Sequence, residues 1–282
     1  MRRDLKYKEI ITRLTLENFA ILKQEYNLNH NIMLGILDYG LHDKDISEDK
    51  KYILNKLKYK YQFSLVLKDS KYGTISDTHI GNKKDSFYYI KKSTDLLVQT
   101  GISKLLHTGD ILDSYDERCD YTKDELINLH YKQIERFHDI WPTNITTYAI
   151  LGNHDTKFKR LGIDLYKELS KDNFIILGTG GAYLKCSNYK LFLEHEVPSS
   201  TLVPPHYNYD LILKGHSHFF KFNKNRNVFR VASCSNLQPN SYALGYYAPG
   251  FATISTDNGL VIDGYNFTKD ETVHTLTLKI KD

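Results

Sequence analysis

The chain is poor in cysteine, proline, methionine and tryptophan, and it has no long apolar run. Its three cysteines, Cys119, Cys186 and Cys234, are odd in number and form no CxxC pair. That excludes a disulfide framework and a zinc ribbon and points to a reducing compartment. Six prolines and 16 glycines in 282 residues exclude a collagen-like or Pro/Gly-rich disordered chain. No stretch reaches the ~18 apolar residues of a membrane span, and Met1-Arg-Arg-Asp-Leu-Lys lacks the apolar centre of a secretion signal. The expectation is a soluble, cytoplasmic protein without membrane association. An excess of one charge is missing too: 38 Lys and Arg face 34 Asp and Glu, net +4, which permits a polyanionic partner without demanding one.

What the chain does have is aromatic bulk, 22 Tyr and 13 Phe within 41% apolar residues. That is enough for a core without staples. Residues 1–60 read as a helical N-terminal extension. Leu14, Phe19, Ile21 and Leu22 suggest one amphipathic helix, Asn27-Leu-Asn-His a turn, and Ile32, Met33, Ile36 and Leu37 a second helix with Gly40 near its end. A short helix over Lys51–Lys60 follows a charged linker. Two helices around a tight turn fit either a helix-turn-helix-like nucleic-acid module or a hairpin packed on the neighbouring domain.

Residues 61–282 read as a second, larger domain. Strand-like runs at Phe63–Leu67, Tyr72–Ser76, Lys104–His107 and Thr146–Leu151 alternate with helices at Phe87–Thr100 and Thr122–Ile140. The second of these opens on a Thr122-x-x-Glu125 capping box. After a short helix near Ile163–Ser170, strands dominate: Phe174–Leu177, Tyr183–Cys186, Leu191–Glu194, Leu211–Lys214, Val228–Ala232, Phe251–Ser255 and Leu260–Tyr265. This pattern predicts an α/β fold with two sheets stacked between helices.

Five strand ends carry metal-binding residue types. Asp77-Thr-His79 follows the first long strand, and Gly109-Asp110-Ile-Leu-Asp113 the next. Gly152-Asn153-His154-Asp155 follows the Thr146–Leu151 run. His195 ends Leu191-Phe-Leu-Glu, and Gly215-His216-Ser-His218 ends Leu211–Lys214. Asp110 beside a glycine could offer an oxygen to each of two ions. An Asn153 carbonyl is a neutral ligand, and Asp113 is placed to orient one. His154 suits proton donation to a leaving oxygen, with Asp155 the expected holder of its other nitrogen.

In this order the motifs DxH, GDxxD, GNHD, a single His and GHxH resemble the calcineurin-like metallophosphoesterases, over roughly residues 70–265. The resemblance implies a four-layer α/β/β/α sandwich of two mixed sheets and a dinuclear centre. One ion would take Asp77, His79, Asp110 and His218, the other Asp110, Asn153, His195 and His216. Phosphate-ester hydrolysis would proceed by attack of a bridging hydroxide. The two divalent ions would be Mn, Fe or Zn. The family often places Gly after the single His, where Glu196 stands here; His206, in a Pro-rich loop, is the rival to His195. The remaining histidines, His107 among them, are expected to be structural.

No Walker loop and no Ser or Cys nucleophile motif is present, which excludes an NTPase or a covalent esterase. The His107-Thr-Gly-Asp strand end and the GNHD form resemble the nuclease and phage-type branch. Lys221, Lys224, Arg226 and Arg230 flank the GHxH motif on an expected hairpin and could contact a phosphodiester backbone. Nucleic-acid phosphodiester hydrolysis is therefore the leading expectation. A small-molecule phosphatase or cyclic-nucleotide phosphodiesterase, and a non-catalytic scaffold retaining the fold, are the alternatives.

Overall fold

A computed structural model describes residues 2–15, 17–26, 28, 30–61, 65–82, 87–114, 121–196, 209–235, 249–267 and 271–281. His206 and Cys119 lie outside them, as do residues 62–64 at the start of the first expected strand. Four helices come first: α1 (Arg2–Arg13), α2 (Phe19–Glu25), α3 (His30–His42) and α4 (Glu48–Tyr61). Then follow β1 (Leu65–Leu67), β2 (Lys71–Ile75), α5 (Phe87–Gln99), β3 (Lys104–His107), α6 (Lys123–Ile140), β4 (Thr146–Leu151), α7 (Asp155–Phe158) and α8 (Leu165–Glu168). The rest is β5 (Phe174–Thr179), β6 (Gly181–Cys186), β7 (Tyr189–Glu194), β8 (Leu211–Lys214), β9 (Lys221–Asn223), β10 (Val228–Arg230), β11 (Gly250–Ser255), β12 (Leu260–Phe267) and β13 (Thr272–Lys281).

The strands form two mixed sheets, ordered β1-β6-β7-β8-β10-β9 and β13-β12-β11-β2-β3-β4-β5. The second sheet has a parallel centre, β2 through β5, and an antiparallel flank. Strand periodicity separates three apolar layers. On β7, Leu191 and Leu193 enter the core between the sheets, with Leu211, Leu213, Tyr148 and Ile150 from neighbouring strands. Ile75, Leu105, Ala149 and Leu151 face the other way, onto Ile90 and Leu97 of α5 and Ile134 and Phe137 of α6. The capping box of α6 forms as the sequence suggests: Thr122 N donates to Glu125 Oε2 at 2.8 Å and Glu125 N to Thr122 Oγ1 at 3.3 Å.

Phe192, between Leu191 and Leu193, points away from the inter-sheet core, as does Tyr183 on β6. Both join Ile10, Ile11 and Leu14, Phe19 and Leu22, Met33, Ile36 and Leu37, and Leu54 and Leu57. The N-terminal helices are thus the outer layer on the six-stranded sheet, and the architecture is α/β/β/α. Gly40 lies near the end of α3, as expected, where the helix packs closely: a Cβ there would meet Leu54 Cδ1 at 2.6 Å and Ile11 Cδ1 at 3.0 Å. Many cations of this layer are occupied locally. Arg13 pairs with Glu25 at 2.7 Å, Lys8 with Asp45 at 2.8 Å, and Lys50 Nζ donates to the carbonyls of Thr12 and Leu14 at and just past the end of α1.

Strand β9 pairs antiparallel with β10 as one arm of the expected hairpin, whereas β13 is absent from the sequence reading. In β13, Leu276, Leu278 and Ile280 alternate with Thr277, Lys279 and Lys281, a legible half-buried edge pattern. No helix among the described residues is long and apolar enough to cross a membrane.

Deleting residues 1–61 should strip the cover from Tyr183 and Phe192 and cause aggregation. Phe192→Ala should cost about 3–5 kcal/mol in urea unfolding, the range for a buried Phe truncation. A truncated chain that stays monodisperse with an unchanged melting midpoint would show this layer to be dispensable.

Candidate metal centre

Parallel strands present their C-terminal ends on one side, where open α/β sheets gather ligand-binding loops. β2, β3 and β4 deliver Asp77–His79, Asp110 and Asn153; β7 and β8 of the other sheet deliver His195 and His216–His218. The loops are laced by backbone hydrogen bonds, Asp77 N to Gly109 O at 3.0 Å, His79 N to Asp110 O at 3.1 Å and His195 N to Gly180 O at 2.9 Å. Among the described residues, seven non-glycines have a left-handed φ, and five of them are Asp77 (50°), His79 (45°), Asp110 (54°), His216 (75°) and His218 (62°). Such φ values cost about 1–2 kcal/mol each and persist where the surroundings over-determine them. The strain therefore sits on the residues that converge.

Glycine is required at two of these turns. A Cβ on Gly109, whose φ is +100°, would lie 2.6 Å from His195 Nδ1, and one on Gly152 would collide with the Asp110 side chain and backbone. The glycines before Asp110 and Asn153 let two strand ends close on each other.

The side chains form two donor groups. In one, Asp77 Oδ1 is 3.2 Å from His218 Nε2, and His218 Nε2 is 3.3 Å from His79 Nε2. In the other, Asn153 Oδ1 is 3.1 Å from His195 Nε2 and 3.0 Å from His216 Nδ1, and Asp110 Oδ2 is 3.1 Å from His195 Nε2. Asp110 Oδ2 also lies 3.9 Å from His79 Nε2. All seven expected ligands are brought together, His195 among them.

This arrangement fits divalent cations. Asp77 and Asp110 are buried. Burial pushes the Asp77 carboxyl up, but the His218 hydrogen bond and the charges of His195 and His218 outweigh it, leaving it at about 2. The same field acts on His195: burial pulls its imidazole down, yet the Asp110 charge and hydrogen bond raise it to about 10. A pocket that recruits positive charge this strongly would be satisfied by metal cations with its imidazoles neutral. The outer nitrogens are already held for that role. His195 Nδ1 donates to Thr108 O at 2.7 Å, and His79 Nδ1 lies 3.1 Å from Asp113 Oδ1, so once the rings are neutral both Nε2 lone pairs would face the cluster.

Asp113 has more to do than the sequence suggested, and Asp155 has a different task. His154 Nδ1 lies 3.3 Å from Asp113 Oδ1, so Asp113 holds both His79 and His154, itself held by Asn82 and, through its carbonyl, by Gln133. Asp155 does not hold His154. It is buried and accepts the backbone N–H of Ile111 at 3.1 Å, Leu112 at 2.9 Å and Gly152 at 2.8 Å. Adjacent in sequence, it opens α7 and points under the loop, where it ties the Asp110 turn to the Asn153 turn. Burial and the Asp110 charge push its carboxyl up to about 6 against the pull of these amides.

His107, expected to be structural, links two ligand loops. Its Nδ1 accepts from Gly109 N at 3.1 Å and its Nε2 faces Thr78 Oγ1 at 3.1 Å, while Thr78 donates to Ile111 O at 2.9 Å. Burial lowers its imidazole to about 3, which keeps it a neutral brace. Ser233, which the sequence did not mark, donates to the Asp77 carbonyl at 2.8 Å.

The basic hairpin divides. β10 runs parallel to β8, so Arg230 lies level with Lys214 at the site end, and Lys221 pairs across from Arg230. Lys224 and Arg226 occupy the 3-10 turn at the opposite end of the hairpin.

Asp155→Ala should leave three amides without their acceptor, at about 1–3 kcal/mol each. Urea melts should show that loss, with a smaller one for Asp155→Asn, which keeps an acceptor oxygen. A stable Asp155→Ala protein altered only in its pH–rate profile would return Asp155 to a proton-handling role.

The calcineurin-like phosphoesterase family model matches residues 71–226, more than half of the chain. Similar solved structures include Yfce, a phosphoesterase from E. coli, at 16% identity over 74% of this chain and 99% of that one, TM-score 0.44. Vacuolar protein sorting 29 from Cryptosporidium parvum shares 16% identity over 74% and 98%, TM-score 0.45. Nuclease MPE from Pseudomonas putida shares 17% over 68% and 82%, TM-score 0.34. No curated protein matches the chain. With its metal-binding residue types gathered at the strand ends that the family model spans, the chain belongs to the calcineurin-like phosphoesterase family.

Proposed function

We propose that this chain hydrolyses phosphodiester bonds of nucleic acid, as a member of the nuclease-like branch of its family, with two divalent ions sharing Asp110. The observation that carries the reading is the position of one oxygen. Asp110 Oδ2 stands between two otherwise separate donor groups, 3.1 Å from His195 Nε2 and 3.9 Å from His79 Nε2. When bound, such ions lower the pKa of water and neutralise phosphoryl oxygens. Nitrogen and oxygen donors in this mixture suit Mn, Fe or Zn.

The chain's own residues supply positioning and proton transfer. Asp77 and Asp110 provide the negative charge that holds cations, and Asn153 adds a neutral oxygen. His154 lies at the rim with its side chain 29% exposed, edge-on to His79 at 4.7 Å between ring centroids. Burial disfavours its protonated form, but the hydrogen bond to Asp113 and the charge of Asp110 outweigh it and raise its pKa. That suits a donor to a leaving alkoxide. Lys221 and Arg230, beside each other at the site end of the hairpin, support contact with a phosphodiester backbone. Lys214 is 3.0 Å from both Glu194 and Glu196; this local neutralisation favours the second reading, a small-molecule phosphatase or cyclic-nucleotide phosphodiesterase. The complete donor set argues against a non-catalytic scaffold.

Manganese-loaded protein should contain two ions per chain by elemental analysis, and Asp110→Asn should lower occupancy at both sites. One ion per chain in the wild type would defeat the two-ion reading. In a panel of DNA, RNA, cyclic nucleotides and nitrophenyl esters, polynucleotide cleavage should dominate. His154→Ala should slow an alkyl phosphodiester about 10²–10⁴-fold and a nitrophenyl ester far less, because nitrophenolate leaves without a proton. Equal losses would move His154 to phosphate binding.

A further inference from the structure

The imidazoles of the cluster are not equally braced. His195 is buried with its outer nitrogen on Thr108 O, and His79 is buried with its outer nitrogen on Asp113. The His216 side chain is 41% exposed. Its Nδ1 faces Asn153 Oδ1 at 3.0 Å, and its Nε2 faces Glu196 Oε2 at 3.5 Å. Glu196 does not stand alone there. Its Oε1 is 3.0 Å from Lys214 Nζ, and the same ammonium is 3.0 Å from Glu194 Oε1. Glu194 and Lys214 are register partners across the parallel β7 and β8 pair. The chain therefore runs Glu194, His195, Glu196 on one strand end and Lys214, Gly215, His216 on the next, with Lys214 clamped by both carboxylates.

We propose that Glu196, anchored by Lys214, is the positioning residue for His216 and thereby sets the affinity of the ion held with Asn153 and His195. The inference rests on the two-ion reading above. A carboxylate at Nε2 favours the tautomer with hydrogen on that nitrogen and leaves the Nδ1 lone pair directed at Asn153 and the ion. Carboxylate partners of this kind orient a ligating imidazole and raise its basicity. Anchoring matters because an exposed glutamate close to a cation site would otherwise swing in as a ligand itself. Lys214 holds one oxygen outward and leaves the other for His216. This arrangement gives Glu196 a reason to stand directly after His195.

Manganese titration of the metal-free chain, followed by calorimetry and by the electron-paramagnetic signal of coupled Mn pairs, reads the two sites separately. Glu196→Ala should weaken one site about 10–100-fold, the usual cost of losing such a partner, leave the other unmoved and abolish the coupled-pair signal at limiting Mn. Glu196→Gln, which keeps an acceptor oxygen, should recover part of that affinity. Lys214→Met should weaken the same site. The Glu196 side chain is 55% exposed, so urea midpoints of the two Glu196 variants should stay at the wild-type value. A two-ion wild type in which neither site is weakened by Glu196→Ala, or a variant in which both sites weaken alike, overturns the inference alone. A wild-type chain that takes a single ion overturns the two-ion reading and this inference with it.

Discussion

Everything at the site depends on holding the Asp110 carboxylate, buried and ionised, between two strand ends. Its Oδ1 accepts the His154 amide at 2.9 Å, and its Oδ2 faces His195 and His79. Taking a carboxylate out of water is costly unless it is paired and hydrogen-bonded. The charge of His195, its hydrogen bond and the nearby imidazoles reverse the upward push of burial and hold Asp110 well below the usual carboxylate range. The glycine ahead of Asn153 exists because no Cβ fits beside this group. The left-handed φ at Asp110 turns its side chain into the cleft rather than along the strand.

Around that group the fold works as a clamp made of two sheets. The seven-stranded sheet supplies carboxylates, Asn153 and His79, and the six-stranded sheet supplies the other three imidazoles. The inter-sheet core of Leu191, Leu193, Leu211, Leu213, Tyr148 and Ile150 sets their separation. Neither sheet holds the cluster alone. Buried polar braces reach across this division: Ser233 to the Asp77 carbonyl, His216 N to the Asp77 carboxylate at 3.0 Å, and His195 to Thr108 O. Loss of packing at a distance therefore carries a functional consequence, because sub-ångström shifts of one sheet change donor spacing.

The N-terminal helices enter the same argument through Phe192 and Tyr183. They cover the outer face of the strands that end in Glu194, His195 and Lys214. Their local ion pairs and the capping of α1 by Lys50 draw their cations toward the layer itself. In this arrangement their packing reaches the site through β6 and β7.

The sequence by itself determined most of the strand and helix order, because period-two runs end in Gly-Asp, Gly-Asn and Gly-His pairs and α6 announces itself with a capping box. It also marked the seven candidate metal-binding residues, since few side chains other than Asp, Asn and His suit a mixed oxygen and nitrogen site. Adjacency misled where backbone direction matters: Asp155 follows His154 but points under the loop, so Asp113, far along the chain, holds the imidazole instead. Tertiary structure alone decided that, just as it decided that Arg230 and Lys221 stand at the site end while Lys224 and Arg226 do not. It also turned Glu194, Glu196 and Lys214 into one cluster and made the four N-terminal helices a layer of the sandwich. The physical reason is common to all of these. Local pattern specifies conformation and burial, whereas pairing across strands depends on sheet order and register, which no single strand encodes.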